Sequence, residues 1–550
     1  MRAKGGIPPP FWLALLLGVL VCAGALAPFL VGERVEHASG VASLLEDTAR
    51  PYRRPLAHDP ETLDPARISD VYSRSVANQI FDGLVYFDAT VDVGPALAEF
   101  WRSSRDNLTW TFNLRKNVKF HHGRELVADD VVFSLTRLLD PKTGSSVSDL
   151  FMNVRGAREF ADGKAKTVSG LVVLDRHTVQ ITLNAVHSAF VSLLAVGQAK
   201  ILPRDIVEAR GDAFGAQPVG TGPFRFLRWD RGKELVLTAN PAYFQAPPKL
   251  SRLVFRIFPG DQRHAMDDEF RKGNLEDAPI PPGADRARLA KDPGHVYVKR
   301  PMNSVRFYGF NTRIKPLTDR RVRQAIIHAI DRETIIQDVY PGQYVLANGI
   351  IPPTMLGHNR ALTGYSYDPA RARELLAQAG YPGGRGLGPL VIWSSVRRDD
   401  ILREHELLRK GLAAVAIPAE IRYLTDWPAF SKMIDEGKLP VFLYAWYADV
   451  PDPDNFLGWL FHSRGPRNFF GYRNVEVDRL LMSARTAGDV QFRVEQYRKA
   501  EQLILEDAPI VPIFHHTYER LFQTYVRSVE VSGLGDAYIP FRKIWLEHPR

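Results

Sequence analysis

One cysteine, Cys22, is all that the 550 residues contain. The chain beyond it therefore has no disulfide and no thiol chemistry. The signatures of the common catalysts are also missing. There is no Gly-x-Ser-x-Gly elbow, no phosphate loop ending in Gly-Lys-Ser/Thr and no His-Glu-x-x-His pair, so nothing in the sequence calls for hydrolase, nucleotide or zinc-peptidase chemistry. Gly384, Gly386 and Gly388 have the wrong spacing for a dinucleotide fingerprint, and no strand leads directly into them; a loop is expected. No block of Lys and Arg stands out despite a net charge of +9, because acidic residues are interleaved: Asp319 precedes Arg320-Arg321, and Asp399-Asp400 follows Arg397-Arg398. This describes a solvated surface rather than a nucleic-acid footprint. There is no internal repeat and no low-complexity tract.

What is present begins at the N-terminus. Arg2 and Lys4 precede an uncharged run from Phe11 to Val31. That run is long enough to span a bilayer with its start in the cytoplasm. It also fits a cleaved signal peptide, with Ala23-Gly24-Ala25 as the better cut site, because Pro28 disfavours cleavage after Ala27. Either reading (residues 1–31 as signal or anchor) sends the rest of the chain out of the cytoplasm. Cys22 stands where a bacterial lipoprotein would carry its anchor, but Val21 before it is not small, which favours a plain apolar residue. Residues 32–50 are polar and aperiodic and read as a tether, with the folded body starting near Pro51.

A body of this length exceeds one hydrophobic core, so two or three domains are expected. Trp110, Phe112 and Leu114 alternate with polar residues as a half-buried strand requires, and so do Val179, Ile181 and Leu183 after the turn-like Asp175-Arg176-His177, which predicts a hairpin. Leu235–Leu237 and Leu253–Phe255–Ile257 repeat the alternation. Helical spacing of Val322, Ile326, Ala329 and Ile330 predicts one helix from Asp319 to Val339. Another opens at Asp368-Pro369 and ends at Gly380, with Asp as cap and Pro at the first helical position. A third runs from about Gln491 to Glu506. The fold class is mixed α/β with more than one lobe. The pairs His121-His122 and His515-His516 do not make a two-ligand metal site, since neighbours on a strand face opposite ways; surface or interface positions are expected.

Several motifs then occur in order. Glu61-Thr-Leu-Asp-Pro-Ala66 and Ile80-Phe-Asp-Gly-Leu-Val85 come first, then Trp110-Thr-Phe-Asn-Leu-Arg-Lys-Asn-Val-Lys-Phe-His-His-Gly123 with Ala128-Asp-Asp-Val-Val-Phe-Ser134. Gly220-Thr-Gly-Pro-Phe224, Asn311, the stretch Arg321–Ala329, Ile351-Pro-Pro353, Tyr367-Asp-Pro-Ala370 and Trp446-Tyr-Ala-Asp-Val-Pro-Asp-Pro-Asp-Asn-Phe456 follow. Over roughly residues 51–550 the chain resembles the dipeptide/oligopeptide-binding family of ABC-importer solute-binding proteins (bacterial extracellular solute-binding protein family 5).

The resemblance implies a periplasmic-binding-protein-like two-lobe clamshell with an extra inserted domain. Residues 51–87, 216–310 and 506–550 would form the first lobe, 88–215 the insertion and 311–505 the second lobe. It implies a non-enzymatic binder without cofactor or metal, working at the periplasm or the outer face of the cytoplasmic membrane. Its partners would be a peptide and an ABC permease and ATPase complex, with the N-terminal segment as the contact with the membrane. By the same resemblance, Asp449 takes the ammonium of a peptide N-terminus, Trp446 walls the ligand, and Arg397 or Arg398, following Trp393, receives its C-terminal carboxylate. The alternatives are another solute on the same fold, such as a nickel chelate, haem, glutathione or a sugar, or a peptide-sensing or chaperone role without transport.

Overall fold

A computed structural model describes residues 50–260 and 262–547. The expected signal or anchor, Cys22 and the tether up to residue 49 lie outside the described residues. Contacts gather the described residues from Tyr52 onward into one compact unit. Among the described residues no helix is long and apolar enough to cross a membrane.

The first sheet runs in the order Tyr52–Leu56, Arg252–Ile257, Glu234–Ala239, Phe224–Asp230, with the first pair parallel and the others antiparallel. Leu235, Leu237, Leu253 and Phe255 point by strand alternation into one core with Tyr52 and Phe541. The chain leaves this sheet at Leu56 and returns through Gly220-Thr221-Gly222. Glycine is required in that passage by close approach. A Cβ on Gly220 would lie 2.1 Å from the Ile80 carbonyl oxygen, and one on Gly222 would lie 2.4 Å from the Ile80 carbonyl carbon. Between them the Thr221 hydroxyl donates to Asp82 at 2.8 Å.

The intervening residues build an antiparallel sheet ordered Ala98–Ser103, Thr109–Leu114, Thr178–Thr182, Leu171–Asp175. The expected hairpin is its last pair, closed where Asp175 faces Thr178. Phe112, Val179 and Ile181 pack there against Val131 and Leu135 of the helix Ala128–Leu139.

The largest sheet has six strands in the order Val345–Leu346, Ile510–His515, Ser304–Phe310, Val441–Tyr447, Leu390–Ser394, Ala419–Tyr423. Ser304–Phe310 is buried along its whole length. Phe307, Phe442 and Trp446 enter one core, while Tyr308, Phe310 and Leu443 enter the other, so the sheet is covered on both faces. A smaller sheet of Asp277–Pro279, Thr517–Phe522 and Val296–Pro301 adjoins it.

Two crossings link these last sheets side by side: Val296–Pro301 continues into Ser304–Phe310, and Ile510–His515 into Thr517–Phe522. They are tied together, for Met302 N–H donates to the His516 carbonyl at 2.9 Å and His516 N–H donates to Ser304 Oγ at 3.1 Å. The strand pairing therefore differs from the expected boundaries after 310 and before 506. Ser304–Phe310 and Ile510–His515 hydrogen-bond within the six-stranded sheet, so strand pairing changes sheet at 302–303 and at 516.

Two further expectations differ in detail. The stretch Asp319–Val339 forms two helices, Arg320–His328 and Arg332–Val339, because the Asp331 side chain accepts from Thr334 N–H at 3.0 Å and caps a new start. The histidine pairs are not surface groups throughout. His515 is buried with Nδ1 2.7 Å from the Ser304 carbonyl, and His121 sits against the glycine passage, 3.0 Å from the Gly222 carbonyl. The helix Pro369–Gln378, capped by Asp368, and the helix Val490–Asp507 lie where the sequence places them.

Candidate functional site

The adjacent strands Leu390–Ser394 and Val441–Tyr447 run parallel, with Trp393 opposite Phe442. Residues that follow either strand therefore emerge at the same, C-terminal end of the sheet. Arg397 and Arg398 follow the first strand and Asp449 follows the second. Crevices at such ends are where open α/β sheets bind ligands.

The loop after Val441–Tyr447 carries three aspartates, and two are used internally. Asp452 accepts from Asp454 N–H at 3.0 Å and from Arg493 at 2.6 Å. Asp454 is held by Arg485 at 3.0 Å, with His187 Nε2 at 3.9 Å. Asp449 is anchored through its backbone N–H, which donates to Asn455 Oδ1 at 3.1 Å. Its carboxylate is left for the cleft, with 29% of the side chain exposed.

Facing it is Arg74, from the helix Val71–Ile80, with Nη1 3.8 Å from Asp449 Oδ1. Enclosure pushes the Asp449 carboxyl above its ordinary value, opposed by the positive charges of Arg74 and Arg467. The Tyr538 hydroxyl stands beside this pair, accepting from Gly197 N–H at 3.2 Å.

The other expected residues divide. Trp446 is 8% exposed and packs on Trp459 with ring centroids 6.1 Å apart, in the core with Phe442; its enclosed indole N–H meets no acceptor. The expectation that it walls the ligand is thus not what its packing displays. Strand alternation turns Tyr447 the other way, where it is 47% exposed and lies 4.9 Å from the His516 ring. Burial pushes the His516 imidazole down to about 3, so it is neutral at neutral pH. Arg398 pairs with Asp400 at 2.9 Å while its side chain stays largely exposed, and its charge reaches Tyr344 and Tyr447. Arg397 instead stacks on Tyr423, 5.8 Å from the ring centre. Trp393 is half-buried beneath the guanidinium of Arg422 at 5.6 Å. Arg74 and Tyr447 carry no signal of their own in sequence: Tyr447 lies unremarked inside the Trp446–Asp449 motif, and Arg74 lies in none.

A cavity of about 630 Å³ flanks the same loop, between residues 149–193 and 450–485; Asn153, Arg158, His187, Asp454, Trp459 and Arg485 are among its lining. Its size falls in the range of small-ligand sites. Among the described residues no three His, Cys, Asp or Glu side chains gather as a metal site would need.

A buried-strand sheet with a charged crevice at one end, joined to a second lobe by two adjacent crossings, defines a two-lobe clamshell of the kind that closes on a small solute. Comparison with known proteins is specific. Residues 92–468 match the family model of the bacterial extracellular solute-binding proteins, family 5. The chain is 32% identical over 479 residues to the dipeptide-binding protein of Escherichia coli, covering 83% of this chain and 87% of that one. It is 31% identical to the heme-binding protein A of Haemophilus influenzae, covering 84% and 86%. Its fold is similar to that of the ABC transporter-associated periplasmic binding protein DppA of Helicobacter pylori in complex with the peptide STSA, with a TM-score of 0.76, 29% identity and coverage of 90% and 98%. The chain belongs to the family 5 extracellular solute-binding proteins.

Proposed function

We propose that this protein captures peptides in the cleft between its lobes and hands them to an ABC permease and ATPase complex, and that it is not an enzyme. The observation that carries the reading is Asp449: a partly reachable carboxylate at the sheet end that, among the described residues, has Arg74 at 3.8 Å but no side-chain hydrogen bond, placed to meet an ammonium. The relatives named for dipeptide binding support it. An extracytoplasmic location follows from the same role, with residues 1–31 as signal or anchor. In this reading residues 88–215 are an inserted domain, and the lobes otherwise divide at 302–303 and 516. Arg398 is the better placed of the two arginines to receive the ligand's carboxylate, because it stays exposed at the sheet end while Arg397 is laid on Tyr423.

The test is calorimetric titration with di- and tripeptides, with haem and glutathione run in parallel. Removing one partner of an enclosed charge pair costs about 2–5 kcal/mol, so Asp449→Asn should weaken peptide binding by at least about thirtyfold. Peptides with amidated C-termini should bind more weakly than free ones, and Arg398→Gln should erase that difference. Binding of haem alone would keep the fold and overturn the peptide assignment.

A further inference from the structure

Lys200 is enclosed without a counter-charge in contact. It is 8% exposed and stands where the chain returns from the inserted sheet, fixed by an antiparallel bridge to Gly83. Among the described residues its ammonium makes no hydrogen bond and no ion pair, and the opposite charge that acts on it is that of Asp82, across space. Asp82 cannot close the gap because both of its oxygens are taken. Oδ2 accepts from the Thr221 hydroxyl at 2.8 Å and Oδ1 from the Tyr243 hydroxyl at 3.0 Å. Burial accordingly pulls the lysine down to about 8 and pushes the Asp82 carboxyl up.

Lys200 lines a cavity of about 90 Å³, together with Asp82, Tyr86, Tyr243, Gln245 and Arg542. Arg542 comes from the turn Phe541–Lys543, and its charge reaches Asp82 and Tyr243. Like Lys200, it has no carboxylate or hydrogen-bonded partner for its side chain among the described residues. Asp82 is the one acid of the lining. Two cations against one carboxylate leave a single positive charge unbalanced in an enclosed space, where such a charge is costly. Water could hydrogen-bond to the ammonium but could not remove that charge.

We propose that this cavity is a site for one small monovalent anion, chloride or an ion of its size, held between Lys200 and Arg542. Tyr86 and Gln245, whose side chains make no hydrogen bond elsewhere among the described residues, supply neutral donors. The charges then sum to zero. Size sets the class, since the cavity has room for about three waters at roughly 30 Å³ each, which suits a halide and excludes a peptide. Asp449 and the sheet end take no part, so the inference stands apart from the peptide reading. The ion braces the junction of the first sheet with the insertion: Gly83, on the way out, bridges Lys200 on the way back, and Asp82 holds Thr221 of the glycine passage.

The experiment is thermal unfolding of the purified full-length protein in mixtures of potassium chloride and potassium gluconate at constant ionic strength. Chloride should raise the melting temperature saturably, as a ligand of the folded state does. Lys200→Met, which keeps the apolar stem, should raise the half-saturating chloride concentration at least about tenfold, the change expected for a loss of about 1.4 kcal/mol. Arg542→Gln, at a half-buried position, should do the same and serves where Lys200→Met fails to fold. A crystal soaked in bromide, which its anomalous scattering locates, should show an ion within hydrogen-bond reach of Lys200 Nζ. No difference between chloride and gluconate, a chloride dependence that either folded variant leaves unchanged, or a cavity that holds water alone in the bromide crystal overturns the proposal.

Discussion

Glu501 shows what burial does to a carboxylate when the opposing positive charge, Arg498, acts more weakly than desolvation. It is 1% exposed; Oε1 accepts from Ile350 and Ile351 N–H at 2.7 and 2.8 Å, and the enclosed Oε2 has no partner. Burial pushes the carboxyl from 4.5 up to about 7. A carboxyl raised in the folded state contributes its stability fully below the unfolded value and loses it as pH rises through the folded one. The wild type should therefore lose roughly 3 kcal/mol from this group between about pH 4.5 and 7, at about 1.4 kcal/mol per unit. Glu501→Gln should remove that slope, and urea melts across the window measure it; parallel pH profiles for the two proteins would refute the assignment. Neighbours on one strand give a second contrast. Trp446→Ala should cost about 3–5 kcal/mol of stability as a large core deletion. Tyr447→Ala should leave the melting temperature nearly unchanged and weaken peptide binding, because Tyr447 lies at the cleft and outside the packed core. The Trp446-x-x-Asp449 spacing singles out the carboxylate only by the family resemblance. It could not assign the tryptophan, whose face is decided by the phase of the whole strand from Phe442 onward. Arg74 was illegible for a stronger reason: its role exists only once two distant stretches of chain are brought face to face.

At the scale of elements, alternation and capping were legible, and close approach was not. The hairpin at Asp175 and the helix opened by Asp368-Pro369 follow from local chemistry alone. The break between the helices Arg320–His328 and Arg332–Val339 does not, because the apolar period runs through it; Ala329 and Ile330 stay buried while Asp331 restarts the hydrogen bonding. The sheet joined by the strands next to the two crossings is hidden for a similar reason, since only pairing reveals it. Gly220-Thr-Gly was recognised as a motif, and the structure supplies its reason in the contact with Ile80. That contact makes a prediction. Gly222→Ala must push the end of the helix Val71–Ile80 away, at a cost of about 1–3 kcal/mol for overpacking. The same helix carries Arg74, so the variant should lower both the melting temperature and the affinity for peptide. An alanine that lowers neither would mean that the passage is looser than its geometry indicates.

For the whole molecule, the question is what a ligand adds to lobes that already touch. The polar contacts across the cleft are slight: Arg74 to Asp449 at 3.8 Å, His187 to Asp454 at 3.9 Å, and Ser188 N–H to the Arg485 carbonyl at 2.9 Å; Val450 adds apolar packing against the core that contains Leu150 and Leu193. Exposed or loosely made ion pairs contribute little, about 0–1 kcal/mol each. The crossings at 302–303 and 516, by contrast, are short and tied to each other, which suits a pivot that bends without unfolding either sheet. A ligand that touches both lobes shifts such a balance by its difference in affinity for the closed and open forms. Without peptide, the few polar contacts and the single buried Val450 should leave a mixture of the two forms in solution. Saturating peptide should then reduce the radius of gyration measured by X-ray scattering. It should also raise stability by about 2.7 kcal/mol at a hundredfold excess over the dissociation constant. The two readouts separate binding from closure. Asp449→Asn should lose both at the same peptide concentration, whereas a variant at the pivot, Ser304→Val, which removes the hydroxyl bonded to His516, should keep the stabilisation by ligand and alter the change in radius. If peptide stabilises the wild type with no change in its scattering, the clamshell does not close on its ligand, and the permease must recognise the loaded protein by some other feature than closure.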